Sequence, residues 1–248
     1  MRRANLIALA LLLCGCAPKP VQPSATETPA KEMPAKLTPV EWSPKALDVP
    51  EKANLNDEFA KPYTGTVAVA LGQERAVVKD CTSNLELAKK GFEPKAAVDY
   101  GPFQAMGVRC LALKALAEGA GYAKSFLHGT VIDEKLLPQL PAVLALAVSP
   151  EMERRRKEMQ EKGASWSQFD PKAKPRADSA DTLTVTTPGF EQRIQILGRG
   201  DFDGDSTEDW LVQDEAFATG GSYRSVRLLI LTRSEEGGPI KLVRELTP

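Results

Sequence analysis

Between Gly198 and Val212 the chain reads GRGDFDGDSTEDWLV, with Asp201, Asp203, Asp205, Glu208 and Asp209 inside nine residues. With Asp201 as position 1, aspartates stand at positions 1, 3, 5 and 9, and Thr207 stands at position 7. Alternate residues of a tight loop point inward, so this spacing can gather several carboxylate oxygens and one backbone carbonyl around a single point. Calcium takes six to eight hard oxygens at about 2.3–2.6 Å, whereas magnesium prefers smaller octahedral sites that retain water. Without a cation, ionised carboxylates held this close repel one another. The competing reading is a solvated acidic turn that holds nothing tightly. Two other chemistries are set aside. Arg199-Gly200-Asp201 spells an adhesion tripeptide, but Asp201 is already the first ligand position. A glycosidase needs one carboxyl free to protonate a leaving group, and carboxylates committed to one cation do not supply it.

The loop departs from an EF-hand: Val212 stands where that motif has a bidentate glutamate, Ser206 stands where it has glycine, and the flanks read as strands. The pattern D-x-D-G-D-x-x-x-D instead resembles the calcium loops of FG-GAP and VCBS-type repeats, where the same short sequence connects two strands of a propeller blade. Those families repeat the unit and often place glycine at the Ser206 position; here the motif occurs once. The resemblance therefore implies the loop and its metal, not the propeller. It implies side-chain ligands from Asp201, Asp203, Asp205 and Asp209, a carbonyl from Thr207, and an outward-pointing Glu208. Without a bidentate twelfth ligand, the expected dissociation constant is about 10⁻⁴ M or weaker. At about 1 mM calcium, linkage then adds only about 1.4 kcal/mol, which suits a structural staple rather than a switch.

The segments around the loop read as sheet. Leu183–Thr187, Phe190–Leu197, Trp210–Asp214, Ser225–Thr232 and Ile240–Leu246 have the composition and period of strands, with Gly220-Gly221 and Gly237-Gly238 at turns. Short connections between successive strands point to an antiparallel meander over residues 182–248, one face packed on a helical part. That helical part spans 63–170 and opens with a strand at Tyr63–Leu71. Ser83 and Glu86 form a capping box, Phe103–Ala117 reads as a second helix, and Leu136–Val148 as an apolar core helix despite Pro138 and Pro141. Ser149-Pro150-Glu151 starts a further helix with charges at four-residue spacing. Its RRRK run is interleaved with glutamates and reads as a solvated face. Residues 171–181, polar and interrupted by prolines, read as a loop or linker. The fold class expected is α+β.

Upstream, nine of the 19 prolines fall between Pro18 and Pro62. Residues 16–62 read as a proline-rich tether, rising about 3.1 Å per residue where extended. Trp42 and Leu47 are the residues there best able to dock on the body instead. The first 15 residues have the layout of a secretory signal, with Arg2 and Arg3 ahead of the apolar run Leu6–Leu13. That run is well short of the roughly 18 residues of a membrane span. LCGC resembles the lipobox of bacterial lipoproteins, which makes Cys16 the acylated residue and Cys14 the weaker candidate. Ala17 after the cysteine favours the outer membrane under the familiar sorting rule. Several acyl chains, at about 0.8 kcal/mol per buried methylene, would anchor the chain stably.

Losing Arg2 and Arg3 takes the basic count from 32 to 30 against 33 acidic residues, a formal −3. No basic stripe points to nucleic acid. Cys81 and Cys110 remain, and an oxidising compartment favours their pairing over two free thiols. His128 is the single histidine, no nucleophile elbow or glycine-rich phosphate loop is present, and no multi-histidine zinc site can form. The expectation is a non-catalytic binding or structural module of the bacterial envelope, lipid-anchored and facing the periplasm, with an envelope protein or cell-wall partner. The alternatives are an envelope hydrolase of another type, or an inhibitor or accessory factor of a cell-wall enzyme.

Overall fold

The C-terminal strands carry consecutive apolar residues, not only alternate ones, and this decides the architecture. Trp210, Leu211 and Val212 are all buried, as are Leu228 to Leu231. A strand buried on both sides needs a layer on each face of its sheet, and the computed structural model, which describes residues 36–248, has both. Six antiparallel strands run β5 (Lys174–Ser179), β6 (Thr182–Thr187), β7 (Phe190–Gly200), β8 (Asp209–Ala218), β9 (Arg224–Thr232) and β10 (Lys241–Leu246). They lie in the order β10-β9-β8-β7-β6-β5, a plain meander. The α+β class expected from the sequence is what the structure has.

One face carries Leu183, Val185, Ile194, Ile196, Trp210, Val212, Leu229 and Leu231. They pack against Leu136 to Ala145, Trp166 and Phe169. The expected core helix at 136–148 is instead two 3₁₀ turns, Glu134–Gln139 and Ala142–Leu144. Pro138 and Pro141 are the physical reason, since each removes a backbone donor and clashes with the preceding turn of an α-helix. Helices α5 (Pro150–Glu161) and α6 (Trp166–Phe169) complete this layer. Ser149 caps α5 as expected, its Oγ accepting from the Met152 N–H at 3.1 Å.

The other face carries Leu211, Leu228 and Ile230 against Val108, Ala112, Leu113 and Leu116 of α4 (Tyr100–Glu118). Helix α3 (Cys81–Lys89) packs on α4, and the Cys81–Cys110 disulfide joins them at a Cα separation of 5.2 Å. The capping residue of α3 is Asp80 rather than Ser83. Asp80 Oδ1 accepts from the Ser83 N–H at 2.7 Å and Ser83 Oγ accepts from the Asp80 N–H at 3.1 Å, so the helix starts earlier than Ser83 and Glu86 imply. A small sheet of β2 (Val67–Leu71), β3 (Glu74–Val78) and β4 (Glu93–Pro94), order β3-β2-β4, flanks these helices.

Two expected boundaries move. Residues 171–181 are not a linker: β5 pairs with β6 from Lys174 to Ser179. It is an exposed edge strand, where proline is tolerated and apolar alternation is not required. The tether does not run to residue 62 either. Residues 16–35 lie outside the described part, but β1 (Glu41–Trp42) pairs with β7, and α1 (Pro44–Leu47) and α2 (Leu55–Ala60) are capped by Ser43 and Asn54. Leu47 is buried to 3% exposure. Proline at the first position of α1 favours helix entry rather than preventing structure.

Candidate metal centre

Loop 201–208 connects β7 to β8 and is shaped by its own short polar side chains. Asp201 Oδ1 accepts from the Gly204 N–H at 2.6 Å and its Oδ2 from the Ser206 N–H at 2.9 Å. Asp203 Oδ1 accepts from the Asp205 N–H at 3.1 Å, and Asp205 Oδ1 from the Thr207 N–H at 2.7 Å. Two residues turn the chain through left-handed backbone, Gly204 at φ +91° and Ser206 at φ +64°. The second explains why glycine suits position 6 of such a loop, because a Cβ is disfavoured there.

Asp201, Asp203 and Asp209 each bring a carboxylate oxygen within 4.8 Å of the other two, a group able to hold a metal ion. Asp205 stands outside this group, with one oxygen engaged by the Thr207 N–H. Thr207 is buried and bridges to Lys124 in the adjacent segment. Asp209 is the informative member. It is fully buried, its Oδ2 accepts the Phe202 N–H at 2.9 Å, Thr232 faces it across the strand pair, and its Oδ1 has no partner in hydrogen-bonding geometry. Leaving a buried carboxylate oxygen unpaired is costly. Burial pushes the Asp209 carboxyl up to about 6; the Phe202 N–H and the Thr232 hydroxyl pull it down, and the charges of Asp203 and Asp205 push it further up. A cation among the three aspartates would satisfy Oδ1 and cancel that repulsion.

The outer side of the loop is clasped by the segment after α4. Ala120 and Asp201 exchange two backbone hydrogen bonds, at 3.0 and 2.9 Å. The Ser206 carbonyl accepts from the Ala123 and Lys124 N–H groups, and the Lys124 carbonyl accepts from the Glu208 N–H at 2.8 Å. Glu208, expected to point outward, is 1% exposed and accepts from the Ser125 hydroxyl. Its partner lies 83 residues away in sequence, so local spacing carried no signal of it. The Ser125 hydroxyl in turn accepts from the His128 N–H at 2.8 Å, while the His128 side chain is exposed. Asp201 is 6% exposed, which closes the Arg199-Gly200-Asp201 tripeptide to a receptor.

A second polar cluster on β8 was not singled out from the sequence. Asp214, 2% exposed, accepts from Gln192 Nε2 at 2.7 Å and from Arg227 Nε at 3.0 Å, and Gln192 and Arg227 also donate to the Leu144 carbonyl. It ties the sheet to the 3₁₀ turn above it. Two charged residues between Val212 and Ala216, Asp214 and Glu215, within a strand, are its one sequence signal. No family model, curated protein or solved structure matches this chain.

Proposed function

We propose that this chain is a lipid-anchored protein of the bacterial envelope, whose β7–β8 loop holds a structural calcium ion and whose body serves as a non-catalytic binding or structural module. The metal half of this reading rests on one observation, the unpartnered and buried Oδ1 of Asp209 beside Asp201 and Asp203. Calcium is the ion favoured by an all-oxygen carboxylate set on a turn rich in backbone donors, without nitrogen or sulfur ligands. The loop lies between the sheet and the segment after α4, so an ion there fastens two layers of the body. That is structural work and asks for no proton transfer.

The anchor half rests on LCGC at residues 13–16, outside the described residues. No helix among the described residues is long and apolar enough to cross a membrane. Calorimetric titration of the full chain with calcium, after stripping with chelator, tests the metal. Binding in the range of about 10⁻⁴ M supports it, and absence of any heat or thermal shift up to tens of millimolar sinks it. For the anchor, metabolic labelling with an alkyne fatty acid should mark the wild type and not Cys16→Ser; label retained by that variant removes Cys16 as the site.

A further inference from the structure

Segment Leu37–Ser43 lies as an extended strand in a groove made by two other parts of the chain. β6 covers β7 only as far as Gln195; beyond it, Glu41 pairs with Arg199, Trp42 with Gly198, and the Ser43 N–H donates to the Leu197 carbonyl at 2.9 Å. Thr38 and Tyr122 exchange two further backbone hydrogen bonds, at 2.8 and 2.9 Å.

Glycines make the room. A Cβ on Gly198 would stand 2.4 Å from Leu116 Cδ2 and 2.8 Å from the Glu41 carbonyl oxygen, one on Gly121 would stand 2.5 Å from that of Thr38, and one on Gly200 would stand 3.0 Å from Val40 Cγ2. Three glycines from two segments thus clear the path of one short peptide. Its hold is thin. β1 contributes two residues, Leu37 is 54% exposed, and a cavity of about 380 Å³ lined by Trp42, Asp181 and Arg199 opens at the seam where β6 stops and β1 begins.

The same groove touches the metal loop. Tyr122, which holds Thr38, lies between Ala120, paired with Asp201, and Ala123, bonded to the Ser206 carbonyl. We propose that Leu37–Ser43 is a strand ligand held in cis, and that the cation in loop 201–209 sets how firmly it is held, through residues 120–124. This rests on the calcium reading and adds a regulatory consequence to it. With the ion bound, Asp201 and Ser206 are fixed and segment 120–124 is docked. Without it, repulsion among Asp201, Asp203 and Asp209 loosens the loop, segment 120–124 and Thr38 together.

Amide hydrogen exchange by NMR on the full chain, in calcium and then in chelator, tests this. An ion worth about tenfold in the opening equilibrium should slow the Gly204 and Ser206 amides and, by a similar factor of about ten, those of Thr38, Ala120 and Tyr122. Amides of the β2–β3 hairpin, which opens without touching the loop, should be unchanged. If Gly204 and Ser206 respond while Thr38 and Tyr122 do not, the coupling is overturned and the calcium reading stands. If the loop amides do not respond, the calcium reading falls and takes the coupling with it. Gly121→Ala keeps the loop intact and fills the groove. It should abolish protection at Thr38 even in calcium while Gly204 and Ser206 still respond; Thr38 protection left intact overturns the groove.

Discussion

Two buried aspartates stand five residues apart on β8, and the protein treats them in opposite ways. Asp214 is met by Gln192 and by the Arg227 guanidinium, with Arg156 donating to the neighbouring Ala145 carbonyl. Asp209 receives one backbone N–H, has the Thr232 hydroxyl beside it, and otherwise faces Asp201 and Asp203. A carboxylate supplied with donors by its own fold is a fixed tie between layers. A carboxylate buried beside others of its kind, with an oxygen left over, is a place able to hold a cation.

The largest test of this contrast is Asp214→Ala. It leaves Arg227 and Gln192 without their buried acceptor, and breaking such a pair typically costs about 3–5 kcal/mol. Denaturant unfolding should show that loss equally in calcium and in chelator; a loss that depended on calcium would merge the two aspartates into one system. Next comes Asp209→Asn. The wild type should melt about 3–6 °C higher in about 1 mM calcium than in chelator, from a linkage of about 1.4 kcal/mol, and the variant should show no difference. A calcium increment surviving in Asp209→Asn would place the ion elsewhere.

Acidity gives a third handle. The Asp209 carboxyl is raised to about 6 in the ion-free fold, mainly by burial, against about 4 in an unfolded chain. Between those values the folded state binds the extra proton, so in chelator this group's contribution lowers stability as pH rises from about 4 through 6. Calcium needs the ionised form, so the calcium increment in melting temperature should shrink as pH falls from 7 to 5. The wild type minus Asp209→Asn difference isolates the group, and a flat difference across that range contradicts the burial argument. The smallest expected effect is Ser206→Gly. Ser206 sits at φ +64°, and relieving a left-handed non-glycine residue should add about 0.5–1 kcal/mol, seen as a higher denaturant midpoint with calcium response retained.

What the residues disclosed depended on how far away their partners lay. The ligand spacing from Asp201 to Asp209 was visible because a loop brings its own neighbours together. Cys81 with Cys110 was visible because chemistry left them no other partners. Glu208 was misplaced because its turn inward is fixed by Ser125, on a segment that only the tertiary fold brings near. Proline density from Pro39 to Pro62 argues against structure, yet it excludes only helix interiors; Pro44 opens α1, and Glu41 and Trp42, just after Pro39, pair with β7. The exposed strand β5 lacks the apolar alternation that would have marked it. The runs WLV and LLIL did record a sheet covered on both faces, and one-sided packing was the wrong expectation for them.

The disulfide has a mechanical meaning when the chain is pulled from its amino-terminal side. Such a load would first meet the Thr38–Tyr122 pair, then β1, then the small helices α1 and α2, each held by few bonds. Beyond them Tyr63 Oη lies 2.9 Å from Cys110 Sγ, against the bond that closes Cys81 to Cys110 over a sequence separation of 29. A pull along the backbone passes from Cys81 to Cys110 through that bond, so it cannot extend the chain between the two cysteines.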